Sequence, residues 1–123
     1  MKETSLYPEI TKALESLGAA VTKIPGTPYH KGIPDYALTL RGHPIWMEVK
    51  VWRKSKKEMP TALQQDNLDK HAAAGALSFC LVWDDVTKMY RIEYRSWSLA
   101  CSRKELRQLF VQVFNLTWPT EGR

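Results

Sequence analysis

Polar and apolar positions change period several times along the 123-residue chain, and each change marks an element. After Pro8, the residues Ile10, Ala13, Leu14 and Leu17 recur at helical spacing until Gly18, which predicts a helix with Pro8 at its first position. Ala20 to Ile24 reads as a first strand, and Pro25-Gly26-Thr27-Pro28 as a turn-rich connection. Strict alternation follows from Asp35 to Leu40, with Tyr36, Leu38 and Leu40 on one side and Asp35, Ala37 and Thr39 on the other. It resumes after a turn at Arg41-Gly42-His43-Pro44, where Ile45, Met47, Val49 and Val51 form a core row backed by Trp46, Glu48, Lys50 and Trp52. A helix is predicted from Pro60-Thr61, with Gln64, Leu68, His71 and Gly75 along one face. Ala76 to Trp83 is nearly all apolar, as in a strand buried on both faces. Asp84-Asp85 makes a turn, and Met89 to Arg95 alternates Tyr90, Ile92 and Tyr94 against Arg91, Glu93 and Arg95. Leu106, Leu109, Phe110 and Val113 form a closing helical stripe. The expected order is helix, three strands, helix, two strands, helix: one α/β domain over residues 1–123, a central mixed sheet flanked by helices, with no internal repeat or linker.

The turn between the second and third strands decides what the polar row can do. If Leu40 pairs with Ile45, Ala37 faces Glu48 and Asp35 faces Lys50, so two carboxylates and an ammonium share one side of the sheet. A slip of one residue would put Asp35 in the core. Like charges held this close persist when a cation neutralises them or a proton is shared. Oxygen ligands favour Mg²⁺ or Mn²⁺ over zinc, and Mg²⁺ keeps part of its shell for a phosphate. Lys50 beside such a metal can orient or deprotonate an attacking water, or stabilise charge on a phosphate. A Glu-x-Lys on a surface strand is common by chance, so Glu48 and Lys50 gain weight only through Gly32-Ile33-Pro34-Asp35 at hairpin spacing.

With Gly32-Ile33-Pro34-Asp35, Glu48-Val49-Lys50 and the following Gln64, the chain resembles the PD-(D/E)XK nuclease superfamily. Within it, the chain is similar to the small virus-type replication-repair nucleases (VRR-NUC) and to Holliday-junction-resolvase-like proteins, over residues 9–83. The resemblance implies a restriction-endonuclease-like core and a metal-dependent endonuclease that leaves a 5′-phosphate and a 3′-hydroxyl. It implies Asp35 and Glu48 as metal ligands, Lys50 as the group that assists the water, the Val49 carbonyl as a further ligand, and Glu9 of the first helix as the residue that completes the site. Mg²⁺ is the implied cofactor, with Mn²⁺ as substitute and no organic group. Two of these residues have structural readings beside the functional one. Glu9 in a first helical turn favours the helix dipole whatever else it does, and Thr61-Ala62-Leu63-Gln64 fits a capping box as well as placing Gln64 at the site.

Charge adds a partner. The net charge is +5 and the sequence pI about 9.3, a balance that favours polyanions. Arg53, Lys54, Lys56 and Lys57 follow Lys50 directly and are expected in an exposed connection, either solvated or set against a phosphodiester backbone. His30 and Lys31 stand just before Gly32, where they can add phosphate contacts, and His71 is a candidate substrate contact or a helix-end residue. Trp46 and Trp52 either stack on bases or cover the sheet. Cys80 and Cys101 have neither zinc-site spacing nor the density of a disulfide scaffold, so reduced structural thiols are expected. No apolar run is long enough for export or for crossing a bilayer, which points to the cytoplasm. The chain leaves little room for a separate sequence-reading domain. Structure-selective cleavage of branched, flapped or junction DNA is therefore expected, with a homodimer placing two sites on two strands. The alternatives are a nuclease-fold protein that binds nucleic acid or a protein without cutting, and a basic interaction domain of another fold.

Overall fold

The computed structural model describes residues 2–26, 32–94 and 97–117. Three helices, α1 (Tyr7–Glu15), α2 (Ala62–Ala73) and α3 (Leu106–Thr117), pack on one seven-stranded mixed sheet. Its strands are β1 (Ala20–Lys23), β2 (Tyr36–Leu40), β3 (His43–Arg53), β4 (Lys56–Lys57), β5 (Leu77–Asp84), β6 (Met89–Tyr94) and β7 (Trp97–Ser102). They lie in the order β1-β2-β3-β5-β6-β7, with β4 also paired to β3. Among the described strands only β3 and β5 run parallel, joined by the crossover that contains α2.

Two strands exceed the expectation. The basic stretch after Lys50 is not a loop: Lys56 and Lys57 turn back on β3 as β4, pairing with Arg53 and Trp52. β7 adds an edge beside β6, with Cys101 at its inner end. The last residue expected for β6, Arg95, lies outside the described residues, as do Thr27, Pro28, His30 and Lys31.

The β2–β3 turn is tighter than the four residues expected. Arg41 and Gly42 both have positive φ, 51° and 80°, so a two-residue turn closes the hairpin and Leu40 pairs with His43. Leu38 meets Ile45 and Tyr36 meets Met47. Relative to the expected register the strands shift by two residues. An even shift leaves every side chain on its face but sets Asp35 in line with Glu48 instead of Lys50.

The two faces of the sheet are unequal. Ile45, Met47, Val49 and Val51 are all buried and pack with Ile10 and Leu14 of α1 and Leu106, Leu109, Phe110 and Val113 of α3. At roughly 1.5–3 kcal/mol for each fully buried side chain, this face supplies most of the stabilisation. The α2 face is thin: Leu68 and Val82 are buried there, and the Trp46 ring stacks on His71 with centroids 4.0 Å apart. Among the described residues no helix is long and apolar enough to cross a membrane.

Gly32 joins α2 to the segment that carries Asp35 into β2. Its φ is +82°, and a Cβ there would sit 2.2 Å from Leu63 Cγ, while its carbonyl accepts from Asn67 Nδ2 at 2.9 Å. Gly26 has neither constraint. Gly32→Ala is therefore expected to lose about 1–2 kcal/mol or more in urea unfolding, from the left-handed backbone alone, whereas Gly26→Ala is neutral or slightly stabilising.

Candidate metal centre

One edge of β3 has a gap. β2 pairs with it as far as Met47 and β4 resumes at Trp52, while β5 lies along the other edge throughout. Within the gap the Val49 N–H donates to Asp35 Oδ2 at 2.8 Å. A side-chain carboxylate thus takes the place of a ladder carbonyl. This bond fixes Asp35 beside Glu48, which is 1% exposed.

A third carboxylate completes the cluster. Glu3, in the 3-10 turn Glu3–Ser5, packs against β3, and one oxygen from each of Glu3, Asp35 and Glu48 lies within 4.8 Å of the other two. The first helix does contribute to the site, but through its lead-in and through Tyr7. The Tyr7 hydroxyl donates to Glu3 Oε1 at 2.6 Å and reaches Asp35 Oδ1 at 3.5 Å. Lys23 of β1 stands over the Tyr7 ring at 4.2 Å, with its Nζ 3.9 Å from Asp35 Oδ1.

Glu9, expected to complete the site, is placed elsewhere. Arg103 holds its carboxylate through Nε at 2.7 Å and through Nη2, and the Tyr90 hydroxyl donates to it as well. It ties α1 to β6 and to the 3-10 turn Arg103–Glu105 that leads into α3, and it is absent from the acidic cluster. The helical stripe predicted α1 correctly. It could not tell which end of that helix faces the sheet opening, and Glu3 lies in a segment with no periodic signal.

Electrostatics follow from this crowding. Burial, then the hydrogen bond to and repulsion by Asp35, push the Glu48 carboxyl up to about 9, and the Lys50 ammonium only partly opposes them. Burial also raises Glu3, against the hydrogen bond from Tyr7. Tyr7 itself is raised far above the usual phenol range by burial and by Glu3 and Asp35, so it stays a donor at neutral pH. Glu48 Oε2 is buried without a hydrogen-bond partner among the described residues. Unpaired buried carboxylate oxygen is costly, and a hard cation satisfies it, so the donor set fits Mg²⁺ or Mn²⁺.

Lys50 follows Glu48 on the same face of β3 and acts electrostatically on both Glu48 and Glu3. The capping box at Gln64 is present: its side chain accepts from the Thr61 N–H at 2.9 Å, and Thr61 Oγ1 accepts from the Gln64 N–H. Gln64 also lines a cleft shared with Asp35. Trp46 covers the sheet under His71, while Trp52 donates to the Glu58 carbonyl at 3.0 Å and has Lys57 Nζ 4.8 Å from its ring centre. Trp52, Arg53, Lys54, Lys56 and Lys57 line one groove, and the four basic residues are exposed.

The sheet and its flanking helices are the fold of the PD-(D/E)XK-type nucleases, the class that the sequence motif resembles. Two of the solved structures similar to it illustrate this. A VRR_NUC domain superimposes with a TM-score of 0.56 at 23% identity, covering 89% of this chain and 94% of that one. Hjc of Archaeoglobus fulgidus, a Holliday junction resolvase from an archaeal hyperthermophile, superimposes with a TM-score of 0.58 at 17% identity, covering 89% and 98%. No protein-family model matches the sequence, and no curated protein resembles it in sequence at a significant level.

The raised Glu48 has a consequence for stability. A carboxyl whose folded-state pKa rises from 4.5 to about 9 stabilises the fold fully below pH 4.5 and loses that contribution as pH climbs through 9. Without divalent metal, the wild-type melting temperature is expected to fall from about pH 5 to 9 more steeply than that of Glu48→Gln. By pH 9 the variant should be more stable by at least ~1 kcal/mol, about 4 °C for a domain of this size. Parallel melting curves across this range in chelator are the check.

Proposed function

We propose that this chain is a Mg²⁺-dependent DNA endonuclease that prefers branched, flapped or junction DNA, with Mn²⁺ able to replace Mg²⁺. The observation that carries it is the partnerless buried oxygen of Glu48 inside a three-carboxylate cluster on a nuclease fold. Asp35, Glu48 and Glu3 hold the ion. The Val49 carbonyl is a further ligand, since the N–H and C=O of one strand residue point to the same edge and the Val49 N–H points into the gap. A divalent cation there supplies Lewis-acid stabilisation of charge at the phosphate.

The remaining residues prepare that charge and the nucleophile. The Lys50 ammonium orients the attacking water and stabilises charge that develops on the phosphate. Tyr7 fixes the Glu3 carboxylate, and the Val49 N–H fixes that of Asp35, so that both stay beside Glu48. Gln64 lines the approach to Asp35 from α2. Arg53, Lys54, Lys56 and Lys57 hold the phosphodiester backbone on the β3–β4 hairpin, where counterion release supplies affinity without sequence. Lys31 belongs to the same proposed phosphate contacts. Preference for junctions draws on the neighbour described as a Holliday junction resolvase, and a homodimer would set two such sites on opposing strands.

Linear, flapped, single-stranded and four-way DNA, each with Mg²⁺, Mn²⁺ or chelator, separate the possibilities. Asp35→Ala and Lys50→Ala are expected to lose cleavage by roughly 100-fold or more. Lys57→Ala should keep turnover on saturating DNA but bind more weakly, with its salt slope reduced by about 0.9. Binding without metal-dependent cleavage in the wild type would mark a binding-only protein. Cleavage that survives chelator or Asp35→Ala would remove the metal centre.

A further inference from the structure

We propose that the cavity between α2 and β5 receives a single nucleobase turned out of the DNA stack. This rests on the endonuclease reading for its substrate. The cavity is about 250 Å³, below the roughly 300–1,000 Å³ of drug-sized ligand sites and on the scale of one planar heterocycle. Its floor is Ser78, Cys80 and Val82 of β5, on the sheet face that also carries Glu48 and Lys50. Cys80 stands directly opposite Glu48 in the parallel register, so the floor is one strand spacing, about 4.8 Å, from the strand that carries Glu48.

The lining has the chemistry of base recognition. Trp52 forms one wall, and it also lines the basic groove of the β3–β4 hairpin. A backbone held in that groove therefore passes the cavity mouth on the other side of the indole. Leu68 and Ala72 of α2 offer an apolar wall, and Met59, 63% exposed, stands at the rim. Stacking on such surfaces is tolerant of base identity. Polar groups add choice: Asp69, whose Oδ1 accepts from Gln65 Nε2 at 2.9 Å, keeps its other oxygen for a donor. Ser78 is 7% exposed, and its hydroxyl has no hydrogen-bond partner among the described residues. Buried hydroxyls are rarely left so. A carboxylate wall favours bases that carry an exocyclic amine, among them adenine and cytosine, over thymine.

The cavity also gives the proposed structural preference a cause. Extruding a base from a paired stack costs a few kcal/mol, and least where the base is already unpaired. Branch points and flaps offer such bases close to a scissile phosphate, whereas continuous duplex does not. The site would thus select DNA by how cheaply it yields a base.

Two measurements test this. In the first, cytidine, adenosine and thymidine are titrated separately into the wild-type protein and followed by amide NMR. Cytidine and adenosine are expected to shift Ser78, Cys80 and Ala72 saturably, with thymidine several-fold weaker. Ala72→Phe, which fills the cavity, should abolish the shifts, and the exposed Asp69→Asn should remove the preference without disturbing the fold. In the second, 2-aminopurine is placed at the branch of a flapped DNA, with Ca²⁺ replacing Mg²⁺ to hold back cleavage. Its fluorescence is expected to rise several-fold on binding wild type but not Ala72→Phe. Cleavage of flapped DNA by wild type with neither signal overturns the base site and leaves the nuclease reading standing. Nucleoside binding without any DNA cleavage supports the site and overturns that reading instead.

Discussion

A single hydrogen bond, from the Val49 amide to the Asp35 carboxylate, organises the acidic site. β3 runs through the middle of the sheet, and an interior strand with unpaired amides is unfavourable. The gap between β2 and β4 leaves such an amide, and the first residue beyond β2 satisfies it with a side chain in place of main chain. That choice holds Asp35 against Glu48 with the rigidity of the sheet itself. Glu3 and Tyr7 then approach from the one direction the strands leave open. The incomplete ladder and the acidic cluster are one feature.

Holding carboxylates together in a buried place is unfavourable by several kcal/mol per ion even after relaxation, before any pairing. The fold offsets this by keeping the opposing demands on opposite faces of one strand. The row Ile45, Met47, Val49 and Val51, buried under α1 and α3, contributes about 6–12 kcal/mol by area. The same residues alternate with Trp46, Glu48, Lys50 and Trp52, which the thin α2 layer covers only in part. Stability and chemistry thus share β3 with little conflict. Leaving the α2 side thin also opens the cavity at Ser78 and Cys80 beside the charges.

Period-two patterning made the two faces of β2 and β3 legible, along with the stripes of α1 and α3, because side-chain alternation survives any even register shift. The exact partner of Asp35 was not legible. It depends on positive φ at Arg41 and Gly42, and arginine carries no signal for that backbone. β7 was hidden because its inner residues alternate with serine and alanine, which read as an approach to the following helix. β4 was hidden because lysines at a sheet edge look like any solvated connection. Glu9 over Glu3 was a matter of tertiary placement: a helix wheel gives the buried stripe but not the axial position at which the chain meets the sheet opening. Trp46 could be read as a stacking platform or a cover, and only the position of His71 on α2 decides for the cover.

On the proposed reading, Glu3, Asp35 and Glu48 together hold a hard divalent ion. Anomalous diffraction from crystals soaked in millimolar Mn²⁺ is the decisive measurement. A strong anomalous peak is expected, bounded by these three carboxylates and next to the Val49 carbonyl. A peak at Glu9 instead, or an ordered acidic cluster with no anomalous density, would contradict it.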